Sequence, residues 1–182
     1  MRPLLLALSL LATAGTFSSE ARAEQVFWTA DALLADMFPD ATHLEPVPLT
    51  LSPTQVAQVA STLGYTLPKP TYTFTAAWRD DTLLGWVLLD EQVGQHEPIT
   101  FAVQIDPARH VVRHEILVYR ERYGAEVRDK RFRAQFTGKS ASDPLVAGKD
   151  IRIVSGATYS SKAMAIGVRR AVVLAGYLNA SS

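Results

Sequence analysis

The residues best suited to chemistry lie near the C-terminal end of the sequence, in the stretch Ser155–Ser161, which reads SGATYSS. Gly156 and Ala157 keep the approach to the Thr158 hydroxyl free of bulk, and glycine adopts positive φ easily. The apolar spacing that follows predicts a helix from about Ser160 to Leu178. A helix N-terminus carries open backbone N–H groups and a partial positive charge, so this stretch predicts a site for a phosphate group.

Neighbouring residues extend this candidate site. Tyr159 and Ser160 follow the threonine, and Lys162 adds a point charge for a phosphate. The helix dipole contributes roughly 0.3–2 kcal/mol, which is too little to retain a ligand by itself, whereas a covalent phosphodiester removes that limit. The alternative is that Ser, Gly and Thr only form a turn and a cap before the helix. Both interpretations stay open on these residues alone.

Composition bounds the class of protein. A chain of 182 residues is about one domain's worth, and 18 basic against 18 acidic residues give no argument for a nucleic-acid partner. The sequence contains no cysteine, which excludes disulfides, Cys-ligated iron–sulfur clusters, c-type haem attachment and a thiol nucleophile. If the protein transfers electrons, an organic cofactor must carry them.

Residues 1–23 predict a secretory signal peptide. Arg2 precedes an apolar run from Leu4 to Ala14, and Ala21-Arg22-Ala23 is a small-x-small cleavage site. The run is too short to span a membrane, and no other run approaches that length. We therefore expect a soluble periplasmic protein that starts at Glu24 and is exported unfolded, since the twin-arginine pair is absent. Cleavage leaves 16 of the 18 basic and 17 of the 18 acidic residues, so the mature chain is nearly neutral.

Helical and alternating patterns divide the rest of the chain. Helical spacing predicts helices over Trp28–Phe38 and Pro53–Leu63, the second with Ser52 as N-cap and Gly64 as C-cap. The segment Val127–Phe136 is also helical in pattern.

Two hairpins are predicted between these helices. The strands Thr71–Ala76 and Leu83–Leu89 are joined by the turn Arg79-Asp80-Asp81, and a second pair comprises Ile99–Asp106 and Val111–Tyr119. Strands that follow one another closely pair antiparallel. The sequence therefore predicts a single α+β domain, an antiparallel sheet with packed helices.

Other candidates for chemistry are weaker. The four histidines share no metal-ligand spacing, and the motifs G-x-S-x-G and H-E-x-x-H are absent, so neither a metal site nor a catalytic residue is predicted. The segment from Arg120 to Lys139 is rich in Arg and Lys. It predicts a solvated helix face or a docking surface for an acidic redox partner.

The chain resembles the FMN-binding domain family, which includes the C subunit of the sodium-pumping NADH:quinone oxidoreductase and the G subunit of the Rnf complex. It looks most like the small stand-alone exported members of that family. The likeness covers roughly residues 85–175, so we divide the chain into the signal peptide, an N-terminal helical and first-hairpin region (24–84) and an FMN-binding core (85–182). The resemblance rests on the stretches 90–99, 118–124 and 131–139 and on the [ST]-G-A-T motif. This motif is matched by Ser155, Gly156, Ala157 and Thr158.

The resemblance implies a cofactor and the residues around it. In this family a periplasmic flavin transferase uses FAD to attach FMN to the motif threonine through a phosphodiester, which here is Thr158. The flavin ring is then expected near Glu121, Tyr123 and Gly124, with tyrosine stacking and glycine allowing close approach. His96 is expected to shape the same pocket. The alternative for the Glu121–Gly124 segment is a β-turn with an exposed acid and a packed tyrosine.

Three functions are compatible with these residues. An electron carrier between a membrane oxidoreductase and an extracytoplasmic acceptor is favoured over a substrate-specific oxidoreductase, because a carrier needs no general acid or base. The alternatives are a flavin-free binding or scaffold module with the same fold and a flavoenzyme that reduces an unidentified small molecule. In the family an aspartate stands six positions before the threonine. Here that position is Arg152, with Asp150 two residues earlier, which favours the flavin-free module.

Overall fold

The strands of the protein are β1 (Gln25–Val26), β2 (His43–Thr50), β3 (Thr71–Arg79), β4 (Thr82–Val93), β5 (Pro98–Ile105) and β6 (Val111–Tyr119). The helices are α1 (Ala30–Met37), α2 (Pro53–Leu63), α3 (Lys130–Arg133) and α4 (Thr158–Ala175), with two 3-10 turns, Ala125–Arg128 and Ala134–Phe136. These elements come from a computed structural model, which describes residues 24–178. The predicted signal peptide lies outside the described residues.

One sheet organises the fold. Its strands lie in the spatial order β1-β6-β5-β4-β3-β2, and every neighbouring pair is antiparallel. The predicted α+β class with an antiparallel sheet and packed helices is confirmed. The boundary drawn between residues 84 and 85 falls inside β4. None of the helices within residues 24–178 has the length and apolar character needed to cross a membrane.

Side-chain caps start the first two helices: α2 begins at Pro53 as predicted, and α1 begins at Ala30, two residues after the predicted Trp28. The Thr29 hydroxyl caps α1 by accepting from the backbone N–H of Ala32 at 3.3 Å. Ser52 and Gln55 form a capping box at the start of α2, which ends at Gly64 in the left-handed region (φ +80°). Local sequence therefore fixes both helices, since each cap satisfies N–H groups that the helix leaves open.

The edge strand β2 is not predicted from the sequence because two prolines, Pro46 and Pro48, interrupt its pattern. β2 nevertheless pairs with β3 from His43 to Thr50 without a break. Both prolines therefore occupy positions where the missing N–H faces the outer edge of the sheet, away from β3.

The two faces of the sheet carry separate hydrophobic cores. The larger core lies under α2 and α4. Gly167 brings α4 close to the sheet there, because a Cβ at this position would lie 2.5 Å from the Phe101 ring. The smaller core lies under α1, whose Leu33, Leu34, Met37 and the following Phe38 pack on Ala77, Val87, Ala102 and Leu117. Burial of each large apolar side chain contributes about 1.5–3 kcal/mol.

A buried ion pair fixes α4 on the sheet. Arg170 is 1 % exposed, and its Nε donates to Asp90 Oδ2 at 2.9 Å. The same guanidinium donates to Gln92 Oε1 at 2.8 Å and to the Glu91 carbonyl at 2.9 Å. These bonds compensate the cost of burying the charge, and they allow only one position of α4 along β4.

Two predicted helices have different bounds in the structure. The segment Val127–Phe136 contains only the single turn α3 between the two 3-10 turns, because Asp129 has extended backbone (ψ 134°) and caps α3 by accepting from Arg131 N. The last helix starts at Thr158 and ends at Ala175, whereas Ser160 and Leu178 were expected. The Thr158 hydroxyl therefore stands on the first helical residue and not on the preceding turn.

Candidate functional site

Thr158 is exposed at the start of α4. The N-cap is Ala157, which offers no side-chain acceptor, and the first bond inside the helix runs from Ser161 N to the Ala157 carbonyl at 2.8 Å. Gly156 has φ +79°, and nothing lies within 4 Å of the position that its Cβ would occupy. The N–H groups of the first turn are therefore open, next to an unobstructed hydroxyl.

Hydrogen bonds, two of them to side chains, hold the turn that leads to Thr158. The N–H of Ala157 donates to the Val154 carbonyl at 3.0 Å, and Ser161 Oγ accepts the N–H of Val154 at 3.1 Å. Two residues earlier, Gln135 Oε1 accepts the N–H of Arg152 at 2.7 Å. The backbone before the threonine is thus tied both to α4 and to the 3-10 turn Ala134–Phe136.

The exit of β6 lies against the first turn of α4. Gly124 has φ +95°, and a Cβ there would lie 2.6 Å from Ser160 Oγ, 2.8 Å from Tyr119 Oη and 3.4 Å from Ala157 Cα. The Tyr119 hydroxyl donates to the Tyr123 carbonyl at 2.5 Å and accepts from Ser160 Oγ at 2.8 Å. Burial raises the pKa of Tyr119, so the hydroxyl stays protonated. The structure therefore brings the predicted segment Glu121–Gly124 to the predicted motif.

Glu121 faces inward, contrary to the predicted turn with an exposed acid. Its carboxylate is buried, and Oε1 accepts the N–H of His96 at 2.6 Å and of Glu97 at 3.0 Å. Burial works to raise the pKa of Glu121, but the backbone donors at His96 and Glu97 lower it overall. The packed tyrosine of that alternative is wrong too, since Tyr123 is 73 % exposed. His96 reaches the site through its backbone, and its side chain is exposed.

A groove of about 510 Å³ opens beside Val154, the residue whose carbonyl binds Ala157. Such a volume lies in the usual range for ligand pockets, roughly 300–1,000 Å³. The groove is lined by Phe132, Ile153, Val154 and Gln135 and by the charged residues Glu126, Asp129, Arg131 and Arg152.

Lys162 lies one turn after Thr158 on the exposed side of α4. Residues four apart share a face of a helix, so its ammonium group belongs to the same surface as the threonine. It also lines a smaller hollow of about 250 Å³ together with Tyr65, Val146 and Ile166. Lys162 is therefore placed to add positive charge near the open N–H groups.

The basic segment Arg120–Lys139 is not one solvated helix face. Arg120 Nη1 donates to Thr100 Oγ1 at 2.9 Å, and the Arg133 guanidinium pairs with the buried carboxylate of Glu115. These cations hold the segment on the sheet, so only part of its charge faces solvent.

Asp150 likewise has a structural role. Its Oδ2 binds Lys139 Nζ at 2.9 Å, and its Oδ1 accepts the N–H of Val146 at 2.7 Å. Burial opposes ionisation, but the donors at Val146 and Lys139 lower the pKa of Asp150 overall. This carboxylate stabilises the loop before the motif and is not free to take the place of the residue at position 152.

Sequence reasoning missed the residues that join the site together. Tyr119, Gln135 and Ser161 connect β6, the 3-10 turn and the motif, yet each looked like an ordinary strand, helix or cap residue. Their role depends on partners that lie far away in sequence. Within residues 24–178, no three His, Asp or Glu side chains come close enough together to bind a metal ion.

His114, in the middle of β6, is buried among aromatic side chains of the core. Its ring centroid lies 5.2 Å from that of Phe136 and 6.1 Å from that of Phe101, and neither nitrogen has a hydrogen-bond partner. Burial and, secondarily, the nearby Arg133 lower the pKa of His114 to about 3. The imidazole is therefore neutral at physiological pH.

Residues 94–173 match the family described as the FMN-binding domain. This segment belongs to the FMN-binding domain family. The match begins at Gly94, whose Cβ position lies 2.8 Å from Glu121 Oε1, and it ends within α4, so it spans the whole site. No curated protein matches the chain in a sequence search.

The site of this FMN-binding domain suits its cofactor. Open N–H groups at the start of α4 and Lys162 suit a phosphate, and the exposed Thr158 hydroxyl lies beside them. The apolar wall formed by Phe132, Ile153 and Val154 suits a flat ring. The family match makes the protein a flavin-binding protein.

Proposed function

We propose that this FMN-binding domain protein is an extracytoplasmic electron carrier whose FMN is joined to Thr158 by a phosphodiester bond. The observation that carries the proposal is the position of Thr158. Thr158 is exposed on the first residue of a helix without a side-chain cap, four residues after Val154, which lines a groove of about 510 Å³. The extracytoplasmic location rests on the predicted signal peptide.

Attachment requires a transferase that brings FAD to Thr158. The threonine oxygen bonds to the phosphorus of the FMN half, the pyrophosphate bond of FAD breaks, AMP leaves and the hydroxyl proton passes to solvent. The open N–H groups of α4 and the ammonium group of Lys162 then face the phosphate charge. Gly124 leaves the space between β6 and α4 free of a side chain.

Bound FMN supplies the electron transfer, and the protein holds and orients it. The buried ionisable groups nearest Thr158 support a carrier and not an enzyme. The Glu121 carboxylate is bound by backbone N–H groups, and the Tyr119 hydroxyl is bound by Tyr123 and Ser160. Neither is available to exchange protons with a substrate.

Intact mass tests the attachment directly. The mature chain is co-expressed with a flavin transferase, denatured and weighed. We expect a yellow protein with the added mass of one FMN minus one water. Thr158→Ala removes the added mass, whereas Thr137→Ala, which changes another exposed threonine, keeps it. A label that remains in Thr158→Ala contradicts the attachment site.

One observation favours the second candidate, a flavin-free binding or scaffold module. Arg152 stands where the family has an aspartate, and the nearby Asp150 is bound by Lys139 and Val146. This candidate predicts a colourless protein of unmodified mass under the same conditions. The variant Arg152→Asp then decides between them: a label that appears only in Arg152→Asp assigns the flavin-free state to the natural chain.

A further inference from the structure

Charged side chains that make no ion pair and no hydrogen bond are distributed unevenly along the chain. Among residues 24–178, the Lys and Arg side chains that make neither an ion pair nor a hydrogen bond lie, Arg79 excepted, between positions 122 and 162. They are Arg122, Arg128, Lys130, Arg131, Lys149, Arg152 and Lys162. The corresponding acids lie, Glu126 excepted, between positions 31 and 81: Asp31, Asp40, Glu45, Asp80 and Asp81. In a nearly neutral chain, the unpaired cations are therefore concentrated in the part of the sequence that contains Thr158.

Exposed aromatic residues lie in the same part of the chain. Tyr123 is 73 % exposed and Tyr159 is 56 % exposed, and Ile153 is 37 % exposed. The Arg122 guanidinium lies 5.4 Å from the centroid of the Tyr123 ring. Tyrosine and arginine carry much of the binding energy in protein interfaces, so these residues have the composition of an interface centre.

Hydrogen bonds bring these residues together around Thr158. The Tyr123 carbonyl and Ser160 Oγ both bind Tyr119 Oη, which places Tyr123 beside the first turn of α4. Ser161 Oγ binds the N–H of Val154, which places the segment 152–154 beside the same turn. We call the surface formed by Arg122, Tyr123, Arg152, Ile153 and Tyr159 the rim.

We propose that the rim docks an acidic redox protein, with Tyr123 and Tyr159 as apolar anchors and with Arg122 and Arg152 facing carboxylates of the partner. The proposal rests on the proposed function, because docking at the rim brings a partner to the flavin on Thr158. The separation of the unpaired acids at positions 31–81 from the unpaired cations at positions 122–162 orients the rim toward such a partner during approach. Charge complementarity of this kind mainly raises the rate of association.

The surface favours a protein over an anionic membrane. A helix that binds a membrane surface presents one continuous apolar face flanked by cations. The rim instead comes from three separate segments, the β6 exit, the loop before the motif and the first turn of α4. Glu126 lines the same groove as Arg131 and Arg152, so these cations share it with a negative charge. Such a mixed surface matches a protein partner.

Paramagnetic probes test the rim on the flavin-free protein, so the outcome does not depend on attachment to Thr158. Backbone amide signals are followed while hexacyanochromate(III), an anion, is added. We expect broadening at residues 122–124 and 152–160 and none at 79–82. A cationic tris(ethylenediamine)chromium(III) probe is expected to broaden 79–82 instead.

A flavodoxin serves as the acidic protein probe in the second step. The double variant Arg122→Glu/Arg152→Glu is expected to weaken its binding on the order of tenfold, and Tyr159→Ser to weaken it severalfold. The control Arg79→Glu, a change of the same charge on the other side of the molecule, leaves binding unchanged. Dispersed amide spectra show in each case that the variant is folded.

Three results overturn the proposal. The first is anionic broadening spread evenly over the surface. The second is binding of the flavodoxin that the double variant does not weaken. The third is a change in the rim's amide signals with anionic lipid vesicles, or with the protein's own concentration, and none with the flavodoxin. A response to vesicles assigns the surface to a membrane, and a response to concentration assigns it to a second copy of the chain. A failed intact-mass test with positive probe results rejects the flavin attachment and keeps the docking surface.

Discussion

The loops at the two ends of the sheet are held by different kinds of contact. At one end, which we call the turn end, β3 meets β4 at Asp80 and β5 meets β6 at Asp106–His110. The β5–β6 turn is closed by bonds between residues at most four positions apart. The N–H of His110, for example, donates to Asp106 Oδ1 at 2.8 Å. Among the few long-range bonds at this end, Asp80 N donates to Thr42 Oγ1 and the Arg109 guanidinium donates to the Leu178 carbonyl. At the other end, the motif end, Glu121 binds the N–H of His96 across 25 residues of sequence.

This difference determines how far along the chain a substitution acts. A local turn closes a short loop, so it forms from its own sequence at low entropic cost. The motif end joins the β4–β5 loop, the β6 exit and the start of α4, which are distant in sequence, through side chains such as Glu121, Tyr119 and Ser161. Substitutions at the motif end should therefore disturb distant segments, whereas those at the turn end should stay local.

The largest expected effect is at Gly124. Gly124→Ala places a methyl group against Ser160 Oγ and Tyr119 Oη and forces a positive φ on alanine, so we expect a loss of about 3 kcal/mol in the free energy of unfolding. Gly156→Ala has the same strain in φ but open space, and we expect about 1 kcal/mol. Chemical denaturation measures both. Equal losses would show that backbone strain, and not the close contact, sets the requirement at Gly124.

Acidification should act on the core between the two ends. His114 has a pKa of about 3 when folded and 6.5 when unfolded, so the unfolded chain binds the extra proton between these values. Its contribution is complete above pH 6.5 and is lost as pH falls; we expect about 2 kcal/mol less stability at pH 5 than at pH 7. His114→Phe should flatten this slope in pH-dependent denaturation. An unchanged slope would assign the acid sensitivity to other groups.

Glu121→Gln should loosen the motif end by about 1 kcal/mol, since the carboxylate that binds two backbone N–H groups becomes a neutral amide. Amide hydrogen exchange should quicken at His96 and Glu97. The folded pKa of Glu121 is lowered, so its contribution is present above the unfolded value of 4.5 and is lost as pH falls below it. The matched control is Asp106→Asn at the turn end, which should quicken exchange at His110 alone. Faster exchange at His96 in this control would refute the separation of the two ends.

The smallest expected effect is at Asp80, which has φ +54° in the β3–β4 turn. Asparagine tolerates this conformation well, so Asp80→Asn should change stability by less than about 0.5 kcal/mol. Amide exchange at the motif end should stay the same. A change at Tyr123 or Gly124 would show that the ends are coupled through the sheet.

The same contrast explains what the sequence could predict. The β3–β4 turn, the two β-hairpins and the caps of α2 are specified by residues within a few positions of each other, and all were predicted. The general place of the motif was predicted for a similar reason, since small residues before an apolar helical pattern are a local signal. The strand β2 was not predicted because two prolines in a short segment indicate a loop. They are compatible with a strand only at the free edge of a sheet, and the sequence does not show which strand lies there.

The inner arrangement of the site could not be predicted. Whether Glu121 faces inward and Tyr123 outward depends on the position of the β4–β5 loop relative to the β6 exit, which local patterns do not contain. The start of α4 at Thr158 was missed because Ala157 makes a poor cap by residue type. Here the preceding turn is held by Ser161 and Gln135 instead.

The prolines of β2 have a consequence for how copies of the protein meet. An exposed outer strand with a full row of donors and acceptors invites the same strand of another molecule to extend the sheet, which is a first step toward fibrils. Pro46 and Pro48 leave gaps in that row. On the opposite border, β1 pairs with only two residues of β6, and the segment 133–139 bonds backbone groups of β6 at Val111, Val112 and His114. At high protein concentration, edge-to-edge pairing of strands from two molecules is thus disfavoured, and contacts through the sheet edges are short-lived.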